Sequence, residues 1–492
     1  MEHSEINRQT ANATKWSAIT EIASKCVAPV TNMILARLLA PEAFGVVATV
    51  TMIVSFADMF TDAGFQKYLV QHDFDSREEL DQNTNVAFWT NIAISFILWG
   101  GIFLFRERIA EMLGNPGLGN VIAVAALSLP LTSFSSIQMA RFRREFDFKS
   151  LFYVRMISVC IPFLVTIPLA LITKSYWALI FGTLAGNMTN AICLTVRSSW
   201  KPRLYYKPLL LKKMFSYSWW ILMESIANWF SGNIGTFIVS AYLTTYYIGL
   251  YKTSMSTVNQ IINLITAATS APLFVAMSKL KSDREVLLDT YYQFIHGLSF
   301  FLCPIGVGIY LYRDFVTAVL LGSQWIETAD FVGLWGLSSS VVLLLGTYCN
   351  GLYNAVGKTK LSFFSQVLHL AALIPTLVWS APRGFDVLYL TRCAVRLELV
   401  AVQMVFMKLF MKVSFQKLLS GLYPAAVCTL LMTAVGMLVR KFGDGFLWSV
   451  IGIVICIATY FSVACLLYHK RLIGALALFG IRINKKLNSM NK

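Results

Sequence analysis

The 492-residue sequence predicts an all-α polytopic membrane protein of about fourteen transmembrane helices: two pseudo-symmetric six-helix lobes plus two C-terminal helices. Three observations lead there. AVILMFWYC residues make up 57% of the chain and DEKR only 13%, whereas a soluble domain carries roughly 25% charged residues. Apolar runs of about 20 residues, the length of a membrane-crossing helix, recur from end to end without the alternation of barrel strands. Lys and Arg fall mostly on one side of these runs, as expected for loops that stay inside. The same composition excludes disorder and a collagen-like chain.

The runs place helices near Lys15–Arg37, Ala43–Phe65, Val86–Phe105, Val121–Ala140, Leu151–Thr173 and Tyr176–Arg197. A second group lies near Phe215–Leu243, Lys252–Met277, Leu288–Tyr312, Phe331–Tyr353, Leu361–Ser380 and Val387–Lys408, and two more near Leu418–Arg440 and Phe446–Tyr468. The N-terminal residues Met1–Lys15 are polar and include two acids, unlike the basic start of a cleaved signal peptide, so the first run is expected to stay as a span. With both termini inside, 27 Lys and Arg lie on the inner side and 9 on the outer. That bias accounts for the net charge of +16 without nucleic acid, and the basic C-terminal cluster reads as an anchor near anionic headgroups. The nine cysteines sit in or beside apolar runs with no C-x-x-C pair, so no zinc site or disulfide framework is indicated. No metal or cofactor site is expected.

An internal repeat supports two lobes. Ile34–Gly45 aligns with Ile238–Gly249 at an offset of 204 residues, pairing Leu39 with Leu243 and Gly45 with Gly249; Leu113-Gly114 recurs as Leu321-Gly322. A duplication of six helices preserves orientation and gives parallel halves, an architecture suited to alternating access. The expected divisions are 1–197 for the N-terminal lobe, 198–214 for a cytoplasmic linker, 215–410 for the second lobe, 411–468 for two added helices and 469–492 for a basic cytoplasmic tail.

Ionisable groups in hydrocarbon are costly and usually face a cavity or a partner. The first span carries Glu21 and Lys25 in the favourable i, i+4 order, with Pro29 set to kink the helix. The second carries Thr51, Ser55, Asp58 and Asp62; the seventh carries Glu224. The eighth has a stripe of Lys252, Ser256, Asn259, Asn263, Thr266 and Ser270, which could equally serve close helix packing. Arg155 lies in the fifth span, and Arg392, Arg396 and Gln403 share one face of the twelfth. Glu21, Asp58, Asp62 and Glu224 are candidates to bind a coupling Na⁺ or H⁺; for Asp58 and Asp62, capping or pairing with Lys25 or Lys67 is the structural alternative. His296 and His369 look isolated, and no proton relay is expected from them.

Several stretches resemble a known family. They are Lys15–Ile19, Ala36–Gly45 (ARLLAPEAFG), Asp62–Phe65, Gln138–Lys149 (QMARFRREFDFK), Tyr176–Leu179, Leu321–Trp325 and Asn350–Lys358. In order and spacing the chain is similar to the bacterial polysaccharide flippases, the lipid-linked oligosaccharide translocases of the colanic-acid and teichuronic-acid exporter branch. These belong to the multidrug/oligosaccharidyl-lipid/polysaccharide exporter superfamily. Two departures stand out: Gly235 where relatives often have an acid after the Asn of the seventh span, and Thr244–Tyr247 in place of small residues.

The resemblance implies a fold like that of multidrug and toxin extrusion transporters. It also implies an undecaprenyl-diphosphate-linked oligosaccharide as cargo, flipped to the outer leaflet of the bacterial cytoplasmic membrane for exopolysaccharide, capsule or lipopolysaccharide synthesis. A polysaccharide polymerase and chain-length machinery are the implied partners. Arg suits a phosphate bidentately, so Lys25, Arg155, Arg392 and Arg396 are the expected headgroup contacts, with Asn259 and Asn263 for sugar hydroxyls. The rivals are a cation-coupled multidrug antiporter, which would favour an acidic cavity, and a polysaccharide polymerase or ligase, which would need a large outer loop bearing catalytic groups. The loops here are short, so a transporter rather than an enzyme is expected.

Overall fold

The computed structural model describes residues 29–478, with residues 63, 64, 73, 114, 146, 281, 282, 357 and 444 excepted, together with residues 20, 23 and 27. The described residues are helical and contain no strand. The helices are α1 (29–38), α2 (Pro41–Asp62), α3 (Phe65–Gln71), α4 (Arg77–Leu104), α5 (Arg106–Met112), α6 (Gly119–Ala125), α7 (Ser128–Arg144), α8 (Phe148–Leu164), α9 (Thr166–Thr173) and α10 (Trp177–Arg197). They continue as α11 (Pro208–Tyr242), α12 (Thr245–Lys279), α13 (Arg284–Leu311), α14 (Arg313–Leu320), α15 (Ala329–Val342), α16 (Tyr348–Ala355), α17 (Thr359–Ser380), α18 (Phe385–Met411), α19 (Phe415–Arg440) and α20 (Phe446–Leu478).

Ten spans among the described residues are long and apolar enough to cross a membrane. Helices α11 and α12, of 35 residues each, and α18, of 27, are also long enough. Most of the expected first span lies outside the described residues.

Local chemistry explains where helices start and break. Ser76 caps α4 by accepting from Glu79 N–H at 3.1 Å, and the Glu79 carboxylate reaches back to Asp75 N–H at 2.9 Å. Asp147 caps α8 through Ser150 N–H at 3.0 Å, and Asp283 caps α13 through Glu285 and Val286 N–H at 3.1 and 3.2 Å. Such caps satisfy amide donors left over at a helix start.

Two expected single spans are each broken in two, α6/α7 and α8/α9. A proline ring clashes with the carbonyl four residues back and supplies no N–H to it. Pro130 and Pro168 therefore set the interruptions next to Ala126 and Leu164, where α6 and α8 end. A π-turn over Leu343–Thr347 interrupts the tenth expected span between α15 and α16.

The chain divides into two compact units, Met1–Thr253 and Ser254–Lys492, with the division inside α12. In the first, α7 packs on α4, α10 and α3, and α2 packs on α11. The segment read as a linker is strapped to α4. Asn85 Oδ1 accepts from Arg203 N–H at 2.8 Å, Trp89 Nε1 donates to Arg203 O at 2.9 Å, and Tyr205 OH donates to Gln82 Oε1 at 3.0 Å. Arg141, only 4% exposed, reaches Asp81 at 2.8 Å, and Arg144 caps the end of α3 through Leu69 O at 2.9 Å and His72 O at 2.7 Å.

Also in the first unit, the opening turns of α2 and α12 cross backbone to backbone. A Cβ at Gly45 would collide with Thr245 O, and one at Gly249 with Pro41 O. The contact is reciprocal across the 204-residue offset. In the second unit, α13 packs on α15, α19 and α20, α17 on α18, and α18 on α15. Each half repeats one further device: an Arg opens a short helix and stacks on the aromatic three residues back, Arg106 over Phe103 at 4.7 Å and Arg313 over Tyr310 at 5.3 Å.

Candidate functional site

Helix α18 sets Arg392 and Arg396 one turn apart, so their side chains share a face. In the second unit that face meets Trp335 of α15, which is buried. The Arg396 guanidinium lies 3.8 Å from the indole centroid and that of Arg392 5.5 Å. Arg396 Nη1 donates to Ser339 Oγ at 2.7 Å and Ser338 Oγ at 3.2 Å. The indole Nε1–H donates to Asn259 Oδ1 of α12 at 3.1 Å. Gln403, buried on α18, donates to Asn350 Oδ1 and Ser365 Oγ, each at 2.9 Å. The π-turn begins four residues after Ser339, and π-turns are frequent at functional sites.

The arrangement orients two guanidinium groups through an indole and two hydroxyls, none of which carries charge. Cation–π contacts are worth about 0.5–2 kcal/mol, rising as water is removed. Hydrogen bonds to a charged group add about 1.5–3 kcal/mol each. The groups named fix position, and a planar guanidinium so held suits a phosphate or carboxylate.

Behind this face, His369 of α17 and Glu398 of α18 form a pair that sequence reading missed. His369 Nδ1 lies 3.1 Å from Glu398 Oε2, with side-chain exposures of 8% and 31%. His369 is therefore not isolated, contrary to expectation. The missed signal was a lone His in an apolar helix facing the charged helix that follows it.

The first unit holds a separate polar cleft of about 190 Å³, lined by Thr51, Ser55, Asp58, Ser128, Thr132 and Asn187 among others. Thus Thr51, Ser55 and Asp58 of the expected α2 stripe share one cavity. Asp58 Oδ1 accepts from Thr132 Oγ1 at 2.9 Å and Thr61 Oγ1 at 3.1 Å. Ser55 Oγ accepts from Trp229 Nε1 at 2.9 Å.

The remaining expected residues are not gathered here. Arg155 is exposed on α8, and Asn263 is exposed one turn beyond Asn259. Glu21 and Lys25 lie outside the described residues; Asp62 and Glu224 are on helices whose side chains are not described at those positions. Among the described residues, no group of three His, Cys, Asp or Glu is placed to hold a metal ion.

A family profile described as "Polysaccharide biosynthesis protein" matches residues 34–330. The succinoglycan biosynthesis transport protein ExoT of Rhizobium meliloti is 24% identical over 369 residues, covering 75% of this chain and 74% of the relative. The lipopolysaccharide biosynthesis protein WzxC of Escherichia coli K12 is 21% identical over 382 residues, covering 76% and 75%. An uncharacterized membrane protein in the cps region of Klebsiella pneumoniae is 26% identical over 386 residues, covering 76% and 77%. Among solved structures, the lipid II flippase MurJ in an inward closed conformation superposes with a TM-score of 0.72 at 15% identity, over 93% of this chain and 99% of MurJ. An inward-facing multidrug resistance MATE family transporter of the MOP superfamily gives 0.62 at 11% identity, over 80% and 98%. At these identities the likeness is one of fold.

Proposed function

The chain belongs to the polysaccharide biosynthesis protein family, and from that premise we propose that it flips a lipid-linked oligosaccharide repeat unit across the bacterial cytoplasmic membrane. The carrier lipid in this reading is undecaprenyl diphosphate, the motion is from inner to outer leaflet by alternating access, and both termini are cytoplasmic. The observation that carries it is the Arg396 cluster: a guanidinium on α18, a helix of 27 residues, laid on Trp335 and held by Ser338 and Ser339. A charge within a span is retained when it serves cargo or a partner, and a diphosphate needs a cation to leave water. The names of the relatives, a transport protein and a lipopolysaccharide biosynthesis protein, support the same reading.

The Asp58 cleft favours coupling to Na⁺ or H⁺, because a carboxylate set among hydroxyls matches a hard cation's preference for oxygen. A polymerase and chain-length proteins would take the product on the outer side. The test is rescue of polymer export in a strain lacking its own translocase, scored with protein abundance. Export restored by the wild type and lost in Arg396→Ala at equal abundance supports the reading. Lipid-linked repeat units that stay on the inner leaflet with the wild type present would falsify it.

A further inference from the structure

We propose that His369 and Glu398 form a proton-binding site coupled to anion binding at Arg392 and Arg396. The inference rests on reading the arginine cluster as the headgroup contact, and it adds a function on the opposite side of the same helix. With Glu398 ionised, the neutral imidazole donates Nδ1–H across the 3.1 Å contact, and a further proton enters at Nε2.

Among the described residues, the charged groups acting on His369 are Glu398, Arg392 and Arg396, all from α18. Helix α16, which packs on the start of α17, contains no charged residue; its Tyr353 hydroxyl donates to Gln403 O at 3.3 Å and its Tyr348 hydroxyl pairs with Thr269 at 2.6 Å. At the far end of α17, the 3₁₀ turn Ala381–Arg383 carries Arg383, which stacks on Trp379 and donates to its carbonyl.

The coupling has a definite sign. Both guanidinium groups oppose a positive imidazole, and the carboxylate favours it. An anion seated on the guanidinium groups cancels part of the opposition, so it strengthens proton binding at His369. By reciprocity a proton at His369 strengthens anion binding by the same factor. In a span, where dielectric screening is weak, a factor of about tenfold is the expected size.

The test uses the purified full-length protein and undecaprenyl diphosphate as probe. Calorimetric titration in two buffers of different ionisation enthalpy counts protons taken up on binding. A ¹³C-histidine NMR resonance, assigned by its loss in His369→Gln, follows the imidazole directly. The wild type is expected to take up protons and to bind about tenfold more tightly at mildly acid than at alkaline pH. In His369→Gln binding persists while both effects disappear, and in Glu398→Gln the histidine titration is displaced. Binding with unchanged proton uptake in His369→Gln overturns the coupling and leaves the flippase reading intact. A His369 resonance that does not titrate, or that titrates identically in Glu398→Gln, overturns the proton site. A wild type that binds no undecaprenyl diphosphate overturns the headgroup reading and the coupling with it, while the resonance still decides the proton site.

Discussion

Arg396 is positioned by two hydroxyl acceptors and an indole face that can be altered one at a time. Truncation to Ala removes the stack on Trp335 and the bonds to Ser338 and Ser339 together. Polymer export is expected to fall at least tenfold, corresponding to about 1.4 kcal/mol or more of lost interaction, at unchanged protein level. Lys keeps the charge but lacks the planar fork, so Arg396→Lys should recover only part of the activity. Wild-type export by the Ala variant would remove Arg396 from the mechanism. Asp58 is a different case, since its carboxylate already accepts from Thr61 and Thr132. Asn retains an acceptor for those hydroxyls while abolishing the charge, so Asp58→Asn should fold normally and lose dependence of transport on an imposed Na⁺ or H⁺ gradient. Reconstituted vesicles with each gradient applied separately report this; an unchanged dependence assigns Asp58 to structure alone.

Helix contacts make their own predictions. At the crossing of α2 and α12, glycine is required because a Cβ would run into a carbonyl that belongs to the opposing backbone. Backbone cannot rotate away as a side chain can. Gly45→Val and Gly249→Val should each lower the melting temperature in detergent by several degrees, while Gly100→Ala and Gly101→Ala, where a Cβ meets nothing within 4 Å, should be neutral or stabilising. Equal melting temperatures for all four variants would remove the crossing from the list of constraints. The apolar runs made the ten spans that are long and apolar enough to cross a membrane visible as lengths of hydrophobic sequence. They did not reveal that Pro130 and Pro168 cut two of them, although both prolines were in plain view. A proline acts on the carbonyl one turn back, so its effect depends on whether packing keeps the helix continuous, as it does at Pro304, Pro375 and Pro424.

For the whole molecule the charge asymmetry predicts topology. Reporter fusions after Lys207 and after Lys486 should read cytoplasmic, and one near Gln324 external; an external signal from the C-terminal fusion would contradict an even number of spans. An inside-negative potential favours outward movement of an anionic headgroup by about 2.3 kcal/mol per charge per 100 mV. Collapse of the potential should therefore slow transport in vesicles even with ion gradients held constant.

Membrane residence and the family resemblance were legible in the residue order. Apolar length, offset identity and charge bias are properties of segments taken singly or compared in line, and they survive without knowledge of packing. The stripe of Arg392 and Arg396 was legible for the same reason, being a matter of helical spacing. Its ligands were not. Ser338 lies 58 residues from Arg396 and His369 lies 29 from Glu398, and nothing in either stretch marks the other as its neighbour. Which faces meet is set by side-chain packing between helices, a collective outcome of many weak contacts. For that reason Trp335 became a platform for two cations and His369 acquired a carboxylate, while Arg155, equally conspicuous in an apolar run, was left exposed on α8.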